Sequence, residues 1–200
     1  MENEADERFY PKLLKMDFVP FMRHYERYFT CLEILGHLGK DEKWLDCACG
    51  TGYGTNLLSN FCQNVIGYDI DEEAVIYASI EYGSQRVKFT NSLSDLEYLC
   101  DVVFSVETIE HMSESEGQRF LTTLNNSLKQ DGTLVITTPI LKKTNHQPSN
   151  KYHILEYSDE HFRRLLNQAG FIVEETKFVE TLFTDGEVKD QGYYKCSKAK

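Results

Sequence analysis

From Lys43 to Gly170, short apolar runs alternate with amphipathic stretches, and this alternation restricts the fold more than any other feature of the chain. "KWLDCA", "NVIGYDI", "RVKFTN", "CDVVFSVE" and "TLVITTP" read as buried strands. Between them, "YGTNLLSNF" predicts a helix with Leu57, Leu58 and Phe61 on one side. "DEEAVIYASIEYG" predicts another, with Asp71 as N-cap, Glu72 and Glu73 in the positive first turn, and Gly83 at its end. "SESEGQRFLTTLNNSLKQDG" opens on a capping box, Ser113 to Glu116, places Phe120, Leu121, Leu124 and Leu128 at helical spacing, and closes at Gly132. Pro139 is expected to stop the fifth strand. "SDEHFRRLLNQAG" predicts a helix capped by Ser158 and ended by Gly170. The tail, "FIVEETKFVETLF" and "YYKCSKA" joined by "TDGEVKDQG", predicts an antiparallel strand pair. Strands this continuously apolar need cover on both faces. The expected fold is therefore α/β, a doubly wound and mostly parallel sheet of seven strands. No linker or repeat divides residues 1–200, so a single domain is expected, with a helical segment over residues 1–40 ahead of the sheet proper at 41–200. That aromatic-rich segment is read as a lid over the sheet edge or as a plain packing helix.

Charge narrows the partners. With 21 basic and 32 acidic residues the net charge is −11, a field that repels phosphate backbones, so nucleic acid is disfavoured. No apolar run reaches the ~18 residues of a membrane span. The acidic start, "MENEADERFY", lacks the apolar core of a secretory signal, which predicts a cytoplasmic protein. In that compartment Cys31, Cys47, Cys49, Cys62, Cys100 and Cys196 are expected to be reduced, buried thiols. Cys47 and Cys49 stand one residue apart with no second pair at finger spacing, so a zinc knuckle is disfavoured.

The stretch "DCACGTGYG" follows the first strand and leads into a helix. In a doubly wound sheet, ligands sit at the carboxyl ends of the strands, so this turn lies where a ligand would. Gly50, Gly52 and Gly54 let backbone approach that ligand and point N–H groups at it. The dinucleotide pattern G-x-G-x-x-G fits imperfectly, since Thr55 occupies its third position. Asp69, about 20 residues on, suits a ribose diol in several kinds of cofactor. Asp46 is the discriminating residue. A carboxylate just before the turn opposes an anionic pyrophosphate but attracts a ligand carrying ammonium and sulfonium charge.

With these residues, the chain resembles the class I S-adenosylmethionine-dependent methyltransferases over nearly its whole length. "LDCACGTGYG" is similar to the family's D-x-G-x-G-x-G motif, with Ala48 in place of the first glycine. That change is expected to be mild because φ is expected to be negative there. "VIGYDIDEEAV", "FTNSLSDL", "DVVFSVETIEHM" and "LKQDGTLVITTP" resemble the later motifs in order. The resemblance implies a Rossmann-like fold and S-adenosylmethionine as cofactor, leaving as S-adenosylhomocysteine. It places Asp46, Ala48, Gly50 and Gly52 at the methionine end, Asp69 on the ribose, and Ile70, Ser92, Leu93 and Val106 around the adenosine. Arg27 and Tyr28 are placed to touch the cofactor's carboxylate from the lid.

A hydroxyl acceptor must also lose a proton, to a base or through a metal. Glu107, Glu110 and His111 in "VETIEHM" fall on one face if a helical turn begins there, and His153 lies within reach of the same mouth. Three readings stand. His111, with Glu107, faces the acceptor as a base. Alternatively Glu107, Glu110, His111 and His153 hold a divalent cation, as a similar E-x-x-E-H cluster does in the small-RNA 2′-O-methyltransferases. In the third, Glu110 and His111 simply cap the loop. The favoured function is O-methylation of a small molecule or glycan. The rivals are metal-assisted RNA 2′-O-methylation, a nicotinamide-dependent oxidoreductase, and a catalytically silent subunit that binds the cofactor.

Overall fold

Trp44 and Leu45, neighbours in the first predicted strand, are both fully buried, and they point into different cores. The same split recurs at Val102, Val103 and Phe104 and at Leu134, Val135 and Ile136, as side chains alternate across a sheet covered on both faces. Burying an aromatic such as Trp44 or Phe104 contributes roughly 1.5–3 kcal/mol.

The computed structural model describes residues 18–95, 99–182 and 188–199. Its elements are α1 (Phe18–Leu35), β1 (Trp44–Cys47), α2 (Tyr53–Leu58), β2 (Val65–Tyr68), α3 (Glu72–Tyr82), β3 (Val87–Thr90), β4 (Cys100–Val106), α4 (Glu114–Ser127), β5 (Leu128–Leu141), β6 (Tyr157–Ser158), α5 (Asp159–Gln168), β7 (Phe171–Leu182) and β8 (Val188–Lys198). The sheet order is β3-β2-β1-β4-β5-β8-β7, parallel from β3 to β5 and antiparallel at β8 and β7, with the two-residue β6 beside β5. The chain leaves β3 at one edge and re-enters on the far side of β1 as β4. Between the carboxyl ends of β1 and β4 lies the crevice where a doubly wound sheet binds its ligand. α4 and α5 pack on one face through Leu121, Leu124, Phe162 and Leu165. α1 and α2 pack on the other through Tyr28, Cys31, Ile34, Leu35 and Leu58.

The predicted caps are present. Asp71 accepts from the backbone N–H groups of Glu73 and Ala74, Ser113 and Glu116 form the capping box, and Ser158 accepts from His161. Four boundaries differ from the sequence reading, the first being α2, which stops at Leu58 before Phe61. α4 ends at Ser127, short of Gly132, because fully buried Leu128 already pairs with Cys100 as the first residue of β5. A Cβ at Gly132 would meet Leu128 Cδ2 at 2.8 Å, so this glycine serves close packing in a strand. β5 also runs through Pro139 to Leu141. Pro139 stands opposite Gln191 of β8, while β4 on the other side ends opposite Thr137. Finally β8 begins at Val188, not at Tyr193, and this brings Lys189 and Gln191 into the sheet. Residues 1–17 of the predicted lid lie outside the described residues.

Candidate active site

The turn after β1 is built by left-handed backbone. Gly50 and Gly52 have φ of 53° and 82°, and Ala48 has φ of 65°. This corrects the expectation of a negative φ at Ala48. The turn requires the left-handed region there, and alanine occupies it at a cost of roughly 1–2 kcal/mol. A Cβ at Gly52 would lie 2.6 Å from that of Ala78 and 2.7 Å from the Phe89 ring, so space as well as conformation demands glycine. Gly54 is required for another reason, because a Cβ there would overlap the ring of Tyr28. The N–H of Gly50 donates to Asp69 Oδ2 at 2.8 Å, and the N–H of Asp71 to Oδ1 at 3.0 Å. The turn thus uses one of its expected ligand donors to hold Asp69, which closes β2 beside it.

Asp46 is completely buried. Thr55 Oγ1 donates to its Oδ2 at 2.7 Å, and the Tyr28 hydroxyl lies 3.2 Å from both oxygens. Burial pushes its pKa up to about 7, against the hydrogen bonds from Thr55 and Tyr28, and the charge of Asp69 adds to the rise. Asp46 therefore fastens α1 and α2 to the turn from beneath. Ile70, by contrast, is 84% exposed just past the end of β2. Ser92 and Leu93 begin the segment after β3. Ser92 Oγ lies 2.6 Å from Ser94 Oγ, and Leu93 packs partly into the core. Val106, half-buried, ends β4. Tyr53 opens α2 among the rings of His24, Tyr25 and Tyr28, with His24 Nδ1 3.0 Å from its hydroxyl. Cys47 and Cys49 are free and buried, and burial raises both thiols.

Just past β4 the backbone turns sharply. Glu107 has φ of 54°, the second non-glycine residue in the left-handed region, and a 3-10 turn over Ile109–His111 follows. The expected helical face breaks here, and Glu107 parts from Glu110 and His111. Thr137 Oγ1 donates to Glu107 Oε1 at 2.8 Å and accepts from the Glu107 N–H at 3.1 Å. Gln191 Nε2 donates to the same oxygen, and Arg27 reaches Oε2 at 3.3 Å. Burial alone would weaken the charge on Arg27; Glu107, Tyr53 and Tyr193 outweigh it and raise its pKa. Arg27 and Tyr28 thus bind Glu107 and Asp46.

Glu110 turns inward and is fully buried. Its Oε2 accepts from Thr138 at 3.2 Å, while Oε1 has no hydrogen-bond partner among the described residues. Burial first, and then the charge of Glu107, push its pKa well above the carboxylate range. One oxygen of Glu110 and one ring nitrogen each of His111 and His153 lie within 4.8 Å of one another, the histidine rings meeting edge to face at 5.1 Å. His111 Nδ1 sits 3.0 Å from the Tyr152 carbonyl and His153 Nδ1 2.7 Å from Glu156 Oε1. The Glu110 carbonyl accepts from the N–H groups of Ile154 and Leu155, which pins the loop before β6 onto the cluster.

A methyltransferase-domain family model matches residues 22–176. The chain is 29% identical over 158 residues to a "probable S-adenosylmethionine-dependent methyltransferase" of Mycolicibacterium smegmatis, and 31% identical over 134 residues to one of Mycobacterium tuberculosis. These matches cover 76% and 64% of this chain. The chain belongs to the S-adenosylmethionine-dependent methyltransferases. It spans only 60% and 48% of the lengths of those two relatives. Among solved structures, 1,6-didemethyltoxoflavin-N1-methyltransferase of Burkholderia thailandensis, with bound S-adenosylhomocysteine, shares the fold at a TM-score of 0.71 and 17% identity, over 88% of this chain and 77% of that one. The N-methyltransferase NodS of Bradyrhizobium japonicum does so at 0.71 and 14%, over 92% of this chain and all of its own. The [4+2]-cyclase SpnF is nearly as similar, at 0.68 and 16% identity over 86% of this chain and 80% of its own. The fold by itself thus does not specify the reaction.

In this methyltransferase domain, Thr55, Tyr53, Thr137, Gln191, Glu156 and Lys189 surround the candidate residues, a part the sequence reading gave to none of them, although Tyr53 and Thr137 lie inside the quoted motifs. Gln191 and Lys189 are visible only once β8 is extended back to Val188, where every second residue faces inward. No helix among the described residues is long and apolar enough to cross a membrane.

Proposed function

We propose that the chain methylates a hydroxyl oxygen of a small molecule or glycan, with His111 as the base that takes the hydroxyl proton. The observation that carries this reading is the convergence of Glu110, His111 and His153 at the carboxyl end of β4, next to the strained turn at Glu107. S-Adenosylmethionine supplies an electrophilic methyl group on sulfonium. The protein's part is positioning. Asp69, already oriented by Gly50 and Asp71, offers its remaining lone pairs to a ribose diol, and exposed Ile70 offers an apolar plate to adenine. Asp46 fixes the turn beneath the methionine end through Thr55 and Tyr28. Across the crevice, a carbonyl can only accept, so His111 Nδ1 donates to Tyr152 and the neutral ring carries its lone pair at Nε2.

A divalent cation is the second reading, supported by the donor set. Buried Glu110 Oε1 lacks a hydrogen-bond partner among the described residues, and both imidazoles have their outer nitrogens fixed by a carbonyl and a carboxylate, the usual support of metal-bound histidine. Glu110, His111 and His153 would hold the ion, which would lower the acceptor hydroxyl's pKa. Glu107, clamped by Arg27, Thr137 and Gln191, would stay outside the set. An acceptor screen with S-adenosylmethionine, with and without a chelator, tests both. The base reading expects oxygen-methylated product that survives the chelator and falls at least 100-fold in His111→Ala. Loss on chelation, restored by magnesium or manganese, would favour the cation. Product methylated on nitrogen or carbon would contradict both.

A further inference from the structure

Within the cluster, His153 is held from a distant strand. Its Nδ1 meets Glu156 Oε1 at 2.7 Å, and Glu156 is fully buried. From β8, Lys189 Nζ donates to both oxygens of Glu156 at 3.0 and 3.1 Å. The Glu156 backbone is fixed as well, exchanging two hydrogen bonds with Asn145 at 2.8 and 3.0 Å. An ammonium group can only donate, so both Glu156 oxygens act as acceptors, and Oε1 takes its second hydrogen bond from His153 Nδ1–H. A neutral ring protonated at Nδ1 carries its lone pair at Nε2. A buried ion pair such as Lys189–Glu156 adds little net stability over apolar residues of the same volume, so stability alone does not account for it.

We propose that Glu156 and Lys189 are positioning residues of the acceptor site: together they fix the ring angle and tautomer of His153, keeping its lone pair at Nε2 beside Glu110 and His111. This rests on the reading of that cluster as the acceptor site. Lys189 acts by deciding which atoms of residue 156 face the ring.

The test is Glu156→Gln in the full-length protein, a substitution that preserves shape. Lys189 then claims the amide oxygen, the amide NH₂ faces His153, Nδ1 must accept, and the ring proton moves to Nε2. Nuclear magnetic resonance of ¹⁵N-labelled histidine reads the tautomer directly, with His153→Ala assigning the signal. The proposal expects an Nδ1–H ring in the wild type and an Nε2–H ring in Glu156→Gln. Turnover of an acceptor found in the screen should fall at least tenfold, with unchanged affinity for S-adenosylmethionine. Adding Lys189→Met to Glu156→Gln frees the amide to turn its oxygen to His153, and should restore the Nδ1–H tautomer and part of the turnover. An unchanged tautomer in Glu156→Gln, or no return in the double variant, overturns the proposal. If His153→Ala is impaired and Glu156→Gln is fully active, the positioning role fails alone. If His153→Ala keeps full turnover, His153 has no part in the acceptor site and the positioning role fails; full turnover in His111→Ala would instead sink the acceptor-site reading itself.

Discussion

Two non-glycine residues with left-handed backbone, Ala48 and Glu107, flank the crevice, one after β1 and one after β4. At Ala48 the conformation is forced by a turn that two glycines already shape. Replacing Ala48 with glycine relieves roughly 1 kcal/mol of strain and gives back part of it as unfolded-chain entropy. Ala48→Gly is therefore expected to stabilise by about 0.5 kcal/mol, seen as a denaturation midpoint about 1–2 °C higher; a lower midpoint would show that the alanine methyl packs usefully. Asp46 gives the second prediction at this scale. The folded state raises its pKa to about 7, chiefly by burial, so folding favours the neutral acid. Its contribution to stability is full below the ordinary carboxylate range and is lost as pH rises through 7. Denaturant titrations from pH 5 to 8 should show wild type losing stability relative to Asp46→Asn. Parallel curves would mean that Asp46 stays ionised throughout.

Most elements are legible in the sequence because their signals are local. Asp71, Ser113 and Ser158 each sit one residue before a helix and cap it, as their side-chain chemistry requires. Ser113→Ala should cost about 1 kcal/mol by removing a capping-box partner, measurable as a lower unfolding free energy with unchanged cofactor affinity. An unaltered unfolding free energy would mean that Glu116 or solvent replaces the cap. Boundaries governed by distant partners are not legible. The end of α4 is set by Leu128 pairing with Cys100, and the start of β8 by its ladder with β5 and β7. The same holds for Glu107 beside Glu110 and His111. Spacing alone suggests a shared helical face, whereas Thr137, Gln191 and Arg27, from three other elements, draw its carboxylate away.

Across the whole molecule, the doubly wound order puts the glycine turn, Asp69 and the segment after β4 around one crevice, with α1 fastened to it through Tyr28 and Arg27. The turn after β1 and Asp69, the cofactor side in the proposed reading, are readable from motif order. The acceptor side is not, because its supports come from the loop before β6 and from β8, far along the chain. In the proposed function this crevice takes S-adenosylmethionine through Asp69. Titration calorimetry with S-adenosylmethionine, S-adenosylhomocysteine and NADH, on wild type and Asp69→Ala, tests it most directly. Micromolar binding of both adenosyl ligands and none of NADH is expected, weakened at least tenfold by the substitution, a loss of about 1.4 kcal/mol or more. Binding of NADH in their place, or of none of the three, would contradict the account.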